Sequence, residues 1–415
     1  RESDPKPSLT VLETPPGRRR LSNQARLPLE SPLALLLGPH RFDNLGNGAP
    51  VPRSSLLEKG PQLMLVHRLR PASSVSRFPF DPVATDEPTP KVGPRDVRTT
   101  IRACSLNYRD LLVRKGTYGG DPDGLVPLSD GAGEVVEVGA EVTRFRPGDR
   151  VAANFFANWP GGPFSQEAAD SALGGARDGM MAEHVVLPES AWVTIPEHLD
   201  FNQAACLPCA GVTAWNGLFQ RGPAPTQADT VLTMGTGGVS LFALAMTRAV
   251  GARAILTSRS AAKLEKVRDL WQSWGGATDR LHLIDTTTQP EWERAVRDLT
   301  NGRGADRIIE LGGPGTLARS YKATAYNGHI ALIGVLAGLE PTGNPFVLAM
   351  RNATLHGVYV GSTADFEAMN AFLHTHRLVP VIEPSAILPA SRLADAYDLL
   401  ASGTHLGKVV VEMER

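Results

Sequence analysis

Apolar and polar positions alternate with two different rhythms along this chain. Between residues 62 and 196 the period is two. Segments 62–70 and 96–103 read as strands, the second placing Val97, Thr99, Ile101 and Ala103 on one face. Segments 131–139 and 149–153 continue the pattern, broken by turns such as Arg146-Pro147-Gly148-Asp149. Many short strands with turn signals between them predict a barrel-like unit. Residues 154–182 carry Phe155, Phe156 and Trp159 among glycines but show little periodicity. That is too long for a mere connector, so the stretch is expected to be functional or mobile.

After Pro196 the rhythm changes to strands alternating with helices. Strands are predicted at 230–234, 254–257, 282–285, 307–311 and 329–333, with helices at 239–250, 263–274, 291–300 and 316–325. Such alternation implies right-handed βαβ units and a parallel sheet covered on both faces. From about residue 345 the texture is mixed, ending in a strand at 408–412. The fold class expected is α/β, with a β-rich unit and a doubly wound parallel-sheet unit.

The first 60 residues depart from this order. They hold nine prolines, and nine Lys or Arg against six Asp or Glu, including Arg18-Arg19-Arg20. A Pro-rich stretch without periodicity buries little, so 1–61 reads as a disordered extension. Its one apolar run, 33–37, is too short for a secretory core, and its acids argue against a transit peptide. A formal net charge of −1 over 415 residues gives no pull toward nucleic acid or an anionic membrane. No apolar run approaches the roughly 18 residues that cross a bilayer, which predicts a soluble protein. Three cysteines, Cys104, Cys206 and Cys209, exclude a disulfide scaffold and suit a reducing, cytoplasmic setting.

The strongest local signal is the strand–turn–helix of Met234-Gly235-Thr236-Gly237-Gly238-Val239-Ser240. Glycines 235 and 237 let the backbone turn tightly and approach a pyrophosphate, whose charge the helix N-terminus stabilises. The pattern departs from GxGxxG at its last position, where Ser240 stands. NAD sites usually offer an acid about 20 residues after the first glycine. Here the second strand ends in Ser258-Arg259, with Lys263 one turn on. A hydroxyl and a guanidinium suit a ribose 2′-phosphate, which favours NADP(H). The bland alternative is that Arg259 and Lys263 only solvate a helix start. Gly312, Ile333 and Gly334 close late strands, where ligands bind at the carboxyl edge of such sheets.

Taken together, residues 62–415 resemble the medium-chain dehydrogenase/reductase superfamily, in its zinc-independent quinone-oxidoreductase-like branch. The resemblance rests on Ala103-Cys104-Ser105-Leu106-Asn107-Tyr108-Arg109-Asp110, on Ser129-Asp130-Gly131-Ala132-Gly133, and on Pro147-Gly148-Asp149-Arg150-Val151. Leu207-Pro208-Cys209-Ala210-Gly211-Val212-Thr213-Ala214-Trp215, the glycine turn and Gly407-Lys408-Val409-Val410 complete it. It implies a GroES-like β-barrel catalytic domain over 62–196, a Rossmann domain over 197–344, and a return to the catalytic domain over 345–415. Asn107 stands where zinc alcohol dehydrogenases place a cysteine ligand and Ser129 where they place histidine. Only Cys209 matches a ligand position, so no metal is expected. Asn107 and Tyr108 resemble the substrate-side pair that donates to a carbonyl oxygen, although the Tyr108 ring could equally pack on the barrel mouth. Asp130 is expected to orient its neighbours. Thr213 resembles a contact to the nicotinamide ribose. Lys408 resembles a lysine that reaches the cofactor phosphate, against a plain surface charge on a last strand.

The activity implied is NADPH-dependent reduction of a quinone, enone or other activated carbonyl. An alcohol or aldehyde dehydrogenase, or a trans-acting enoyl reductase of a biosynthetic pathway, are variants of it. A non-catalytic NADPH-binding protein with a structural or sensory role is the alternative of another class. Partners expected are a small-molecule substrate, no nucleic acid and no membrane, with a homodimer left open.

Overall fold

Period-two alternation in Asp96–Leu106 builds the centre of one sheet, with Val97, Thr99, Ile101 and Ala103 all buried. The computed structural model describes residues 62–73, 76–334 and 343–414, and the extension expected over 1–61 lies outside them. Around Asp96–Leu106 pair Asp130–Val138, His184–Pro188 and, from the far end of the chain, Lys408–Glu412, all antiparallel. Arg150–Ala153, Trp192–Thr194 and Ile382–Pro389 complete seven strands. The last strand sets Val409 opposite Leu106, which brings Lys408 beside the turn leaving the central strand. A separate antiparallel pair, Leu63–Pro71 with Phe80–Pro88, precedes them. Phe80–Pro88 escaped the sequence reading because its prolines and acids break any apolar alternation.

The second sheet is parallel and six-stranded. Its order is Leu281–Asp285, Arg253–Ser258, Thr230–Met234, Ala305–Glu310, Thr324–Leu332 and Thr354–Gly357. Helices Gly238–Ala249, Ala261–Ser273, Trp292–Leu299 and Leu317–Ala323 connect the strands. This is the doubly wound arrangement that the alternation implied. Two details differ from the sequence reading. Residues 324 and 325 begin a strand instead of ending a helix, and Asn327 adopts a left-handed φ of 56° within it. The sheet also extends past position 344, because Thr-Leu-His-Gly at 354–357 pairs as its sixth strand. So short a segment carries no periodicity of its own.

One hydrophobic cluster joins the two sheets. Ala103, Ala132 and Ala152 from the first pack in it with Val231, Ile309 and Ala331 from the second. The region 154–182 is compact: Phe155 and Phe156 are buried in the same cluster, and Gln166–Ala169 forms a short helix. Among the described residues no helix is long and apolar enough to cross a membrane.

Candidate active site

The site forms where the glycine turn, the exit of Asp96–Leu106 and the start of Lys408–Glu412 meet. Gly235 adopts φ +76°, a conformation that only glycine takes freely, and a Cβ at Gly235 or at Gly237 would meet nothing within 4 Å. The turn therefore keeps an open concavity at the N-terminus of Gly238–Ala249. Its backbone is pinned on three sides. Gly235 N donates to Thr257 O at 2.7 Å, Gly407 N donates to Thr236 O at 2.9 Å, and the Ser240 hydroxyl donates to Met234 O at 2.5 Å. Ser240, where the glycine pattern failed, thus closes the turn from inside. Thr236 is buried, and Val239 packs against the shared core.

Asn107 leads into the helix Tyr108–Arg114, its backbone N donating to Asp110 Oδ2 at 2.7 Å. The Asn107 amide is split between two fates. Its Oδ1 accepts from Lys408 Nζ at 2.6 Å, whereas its Nδ2 is buried with no partner among the described residues. Lys408 is no surface charge: its side chain is 4% exposed. The ammonium also donates to Leu106 O at 2.7 Å and lies 3.7 Å from Asp130. Asp130, itself buried, accepts from the Ser129 hydroxyl at 2.6 Å, the Ser105 hydroxyl at 3.3 Å and Cys209 N at 3.3 Å. Burial, and then the Asp130 charge, push the Cys209 thiol pKa well up. Tyr108 is 40% exposed beside Asn107. Thr213 is buried in the helical stretch 207–220, whose π-type turns flank Val212–Trp215.

At the second strand, Ser258 and Arg259 stay together at the carboxyl edge, but Lys263 leaves them. Its Nζ donates to Gly403 O at 2.5 Å and His405 O at 2.7 Å, and burial pulls its pKa down. Arg259 is exposed and makes no ion pair or hydrogen bond with the described residues. Gly312, Ile333 and Gly334 do converge, around a residue the sequence reading missed. Glu310 is fully buried and accepts from Gly312 N at 2.9 Å, Gly313 N at 3.1 Å and the Thr316 and Ser320 hydroxyls. Its backbone O receives Ile333 N and Gly334 N. A Cβ on Gly334 would stand 1.8 Å from Leu311 O, so glycine there allows two strand ends to touch. A carboxylate closing an apolar strand, with small and hydroxyl residues after it, was the available signal.

A cleft of about 320 Å³ is walled by Trp159, Phe164, Tyr359, Leu332 and Val358. Phe155 and Phe156 stack edge-on beneath Tyr359, at centroid distances of 6.0 and 4.9 Å. The hydroxyl of Tyr359, on the cleft wall, pairs with that of Tyr118. Arg109 covers Tyr118 at 5.1 Å and Phe155 at 4.8 Å from the ring centroids. Tyr118 and Tyr359 had no motif to mark them.

Comparison with known proteins follows the same division of the chain. Residues 93–197 match the alcohol dehydrogenase GroES-like domain, and residues 238–375 match the zinc-binding dehydrogenase family. A zinc-type alcohol dehydrogenase-like protein of Schizosaccharomyces pombe is 40% identical over 333 residues, covering 78% of this chain and 92% of that one. A quinone oxidoreductase of Pseudomonas aeruginosa is 32% identical over 265 residues, covering 63% of this chain and 71% of that one. Among solved structures, one assigned to the alcohol dehydrogenases of Sinorhizobium meliloti is 37% identical with a TM-score of 0.75. That match covers 85% of this chain and 99% of that one.

Proposed function

The chain belongs to the alcohol dehydrogenase/quinone oxidoreductase-like branch of the medium-chain dehydrogenase/reductase superfamily, and from that premise we propose that it reduces a quinone, enone or related activated carbonyl with NADPH and without zinc. It is an NAD(P)-dependent oxidoreductase by that membership. The observation that carries the finer reading is the Asn107 amide, whose buried Nδ2 has no partner among the described residues while its oxygen is already satisfied. A buried donor left unpaired is costly, and an acceptor oxygen in the site would satisfy it.

The dinucleotide fits the residues present. The open turn at Gly235 and Gly237 would hold the pyrophosphate, and Thr213 with Gly312, Ile333 and Gly334 would be the further residues to hold the dinucleotide. Ser258 and Arg259 offer a hydroxyl and an uncommitted guanidinium to a 2′-phosphate. Bound there, the nicotinamide supplies the hydride. The chain's own part is then to hold the acceptor between aromatic walls and to donate from Asn107 Nδ2 to its oxygen as negative charge develops. A donor aimed at a forming oxyanion acts without reorganising, which is the source of its effect on rate. Tyr108, the next residue and 40% exposed, is the second donor that the resemblance implies.

A catalytic zinc does not suit the same residues. Among the described residues no three His, Cys, Asp or Glu side chains gather as ligands would. Asn107 and Ser129 stand where a thiolate and an imidazole would be needed, and neither an amide nor a hydroxyl replaces them well as a ligand. A positive charge, the Lys408 ammonium, already faces Asp130.

Cofactor oxidation by purified protein, measured with quinones, enones and simple ketones, tests this reading. Conjugated acceptors are expected to turn over fastest, with activity unaffected by chelators. Asn107→Ala is expected to lower turnover by roughly 10–1000-fold with NADPH affinity nearly intact. Stoichiometric zinc with chelator-sensitive turnover, or a fully active Asn107→Ala protein, overturns it.

A further inference from the structure

An amide's oxygen and nitrogen are nearly isosteric, so a donor role for Asn107 needs something to choose its orientation. We infer that Lys408 is the positioning residue that makes this choice, holding the Asn107 amide with its nitrogen turned to the acceptor. An ammonium has three donors and no acceptor, so it can bind only Oδ1. A flipped amide would set Nδ2 against the ammonium and Oδ1 against the acceptor oxygen, and both contacts repel. The bond is short and charge-assisted, at 2.6 Å, and it polarises the amide so that the opposite N–H becomes a better donor.

The lysine is itself held in place from three directions. Leu106 O and Asp130 take the ammonium, while Gly407 is fastened to Thr236 O in the glycine turn. A Cβ on Gly238 would stand 2.6 Å from Lys408 Cδ. The third glycine of the turn therefore leaves room for the lysine stem to pass toward Asn107. To reach a cofactor phosphate instead, the ammonium would have to abandon Leu106 O, Asn107 and Asp130 together.

This inference rests on Asn107 being the donor, and a double-mutant cycle separates the two. Lys408→Met is expected to lower kcat on an enone or quinone by roughly 10–100-fold, part of the loss for an oxyanion donor, with NADPH Kd nearly unchanged. In an Asn107→Ala background the same change is expected to have almost no further effect on kcat. Asn107→Asp keeps a partner for the ammonium, so it should preserve the melting temperature while losing turnover. Lys408→Gln, a neutral donor, should fall between Lys408→Met and the parent, and it carries the cycle if Lys408→Met does not fold. Independent, multiplying losses in the cycle overturn the inference. So does weakened NADPH binding at unchanged kcat, which would return Lys408 to the phosphate. An active Asn107→Ala protein would remove the donor reading itself. An impaired Asn107→Ala protein beside an unaffected Lys408→Met protein would remove only the role of Lys408.

Discussion

At the scale of single residues, the adjacent charges Arg259 and Lys263 have separated into different jobs. The lysine caps two carbonyls at the end of helix Leu393–Ser402, and only the arginine is left for a 2′-phosphate. Arg259→Ala is therefore expected to reduce the preference for NADPH over NADH by roughly 10–100-fold, the range of one hydrogen bond to a charged group. Lys263→Ala should leave that preference almost intact. Calorimetric titration of both cofactors distinguishes the two. Asp110 makes a second residue-scale case. Burial raises its pKa to about 6, opposed by Arg109, whose guanidinium lies 3.8 Å from an Oδ1 that accepts no hydrogen bond from the described residues. A carboxyl with a raised folded pKa binds its proton more tightly in the native state. Its penalty is full above pH 6 and fades as pH falls toward 4. Asp110→Asn keeps an acceptor for the Asn107 backbone N without the buried charge. It is expected to raise stability near pH 7.5 by roughly 1–3 kcal/mol and to give no gain near pH 4, by denaturant titration at both pH values.

At the scale of elements, the glycine turn shows how much of a site a sequence can reveal. Gly235, Gly237 and Gly238 stand out because they cluster in one turn with a strand before it and a helix after it. The structure gives the three separate duties: a left-handed φ, an open cradle, and passage for the Lys408 stem. Gly237→Ala should separate binding from folding. Its φ of −83° suits alanine and its Cβ meets nothing. The melting temperature should stay nearly unchanged while the methyl group occupies the cradle and lowers NADPH affinity by roughly tenfold, about 1.4 kcal/mol. A variant that binds NADPH normally would show that the pyrophosphate lies elsewhere. Long-range pairing was not legible in the same way. Nothing near Asn107 in sequence announces that a strand 300 residues later delivers an ammonium to its amide oxygen. The Glu310 hub was equally hidden, since its four donors come from a loop and a helix that make sense only once folded. Thr354–Gly357 is too short to show a period, and Tyr118 and Tyr359 lie 241 residues apart with no motif to join them.

At the scale of the whole molecule, near-neutral charge says little about acid, because the groups that respond to it are partly buried imidazoles. Six histidines, His67, His184, His282, His329, His356 and His405, have pKa values lowered chiefly by burial. His356 falls to about 4, where His329, Arg221 and Arg307 add repulsion, and neither ring nitrogen has a partner among the described residues. A base with a lowered folded pKa stays neutral in the native state while the unfolded chain takes up protons below about pH 6.5. The contribution of these histidines to stability is therefore complete above pH 6.5 and drains away as pH falls toward 4. The raised pKa values of Asp110 and Asp306 act in the opposite sense, but they are two groups against six. Several histidines keep part of their surface in water, which reduces what each contributes, so the sum and its sign matter more than any one of them. The melting temperature is expected to drop by roughly 5–10 °C between pH 7 and pH 5. His356→Leu removes two unpaired buried nitrogens and should make that slope shallower while raising the midpoint at pH 5. Scanning calorimetry of both proteins across this range checks the argument. A melting temperature that held steady or rose on acidification would mean that the buried carboxyls outweigh the imidazoles.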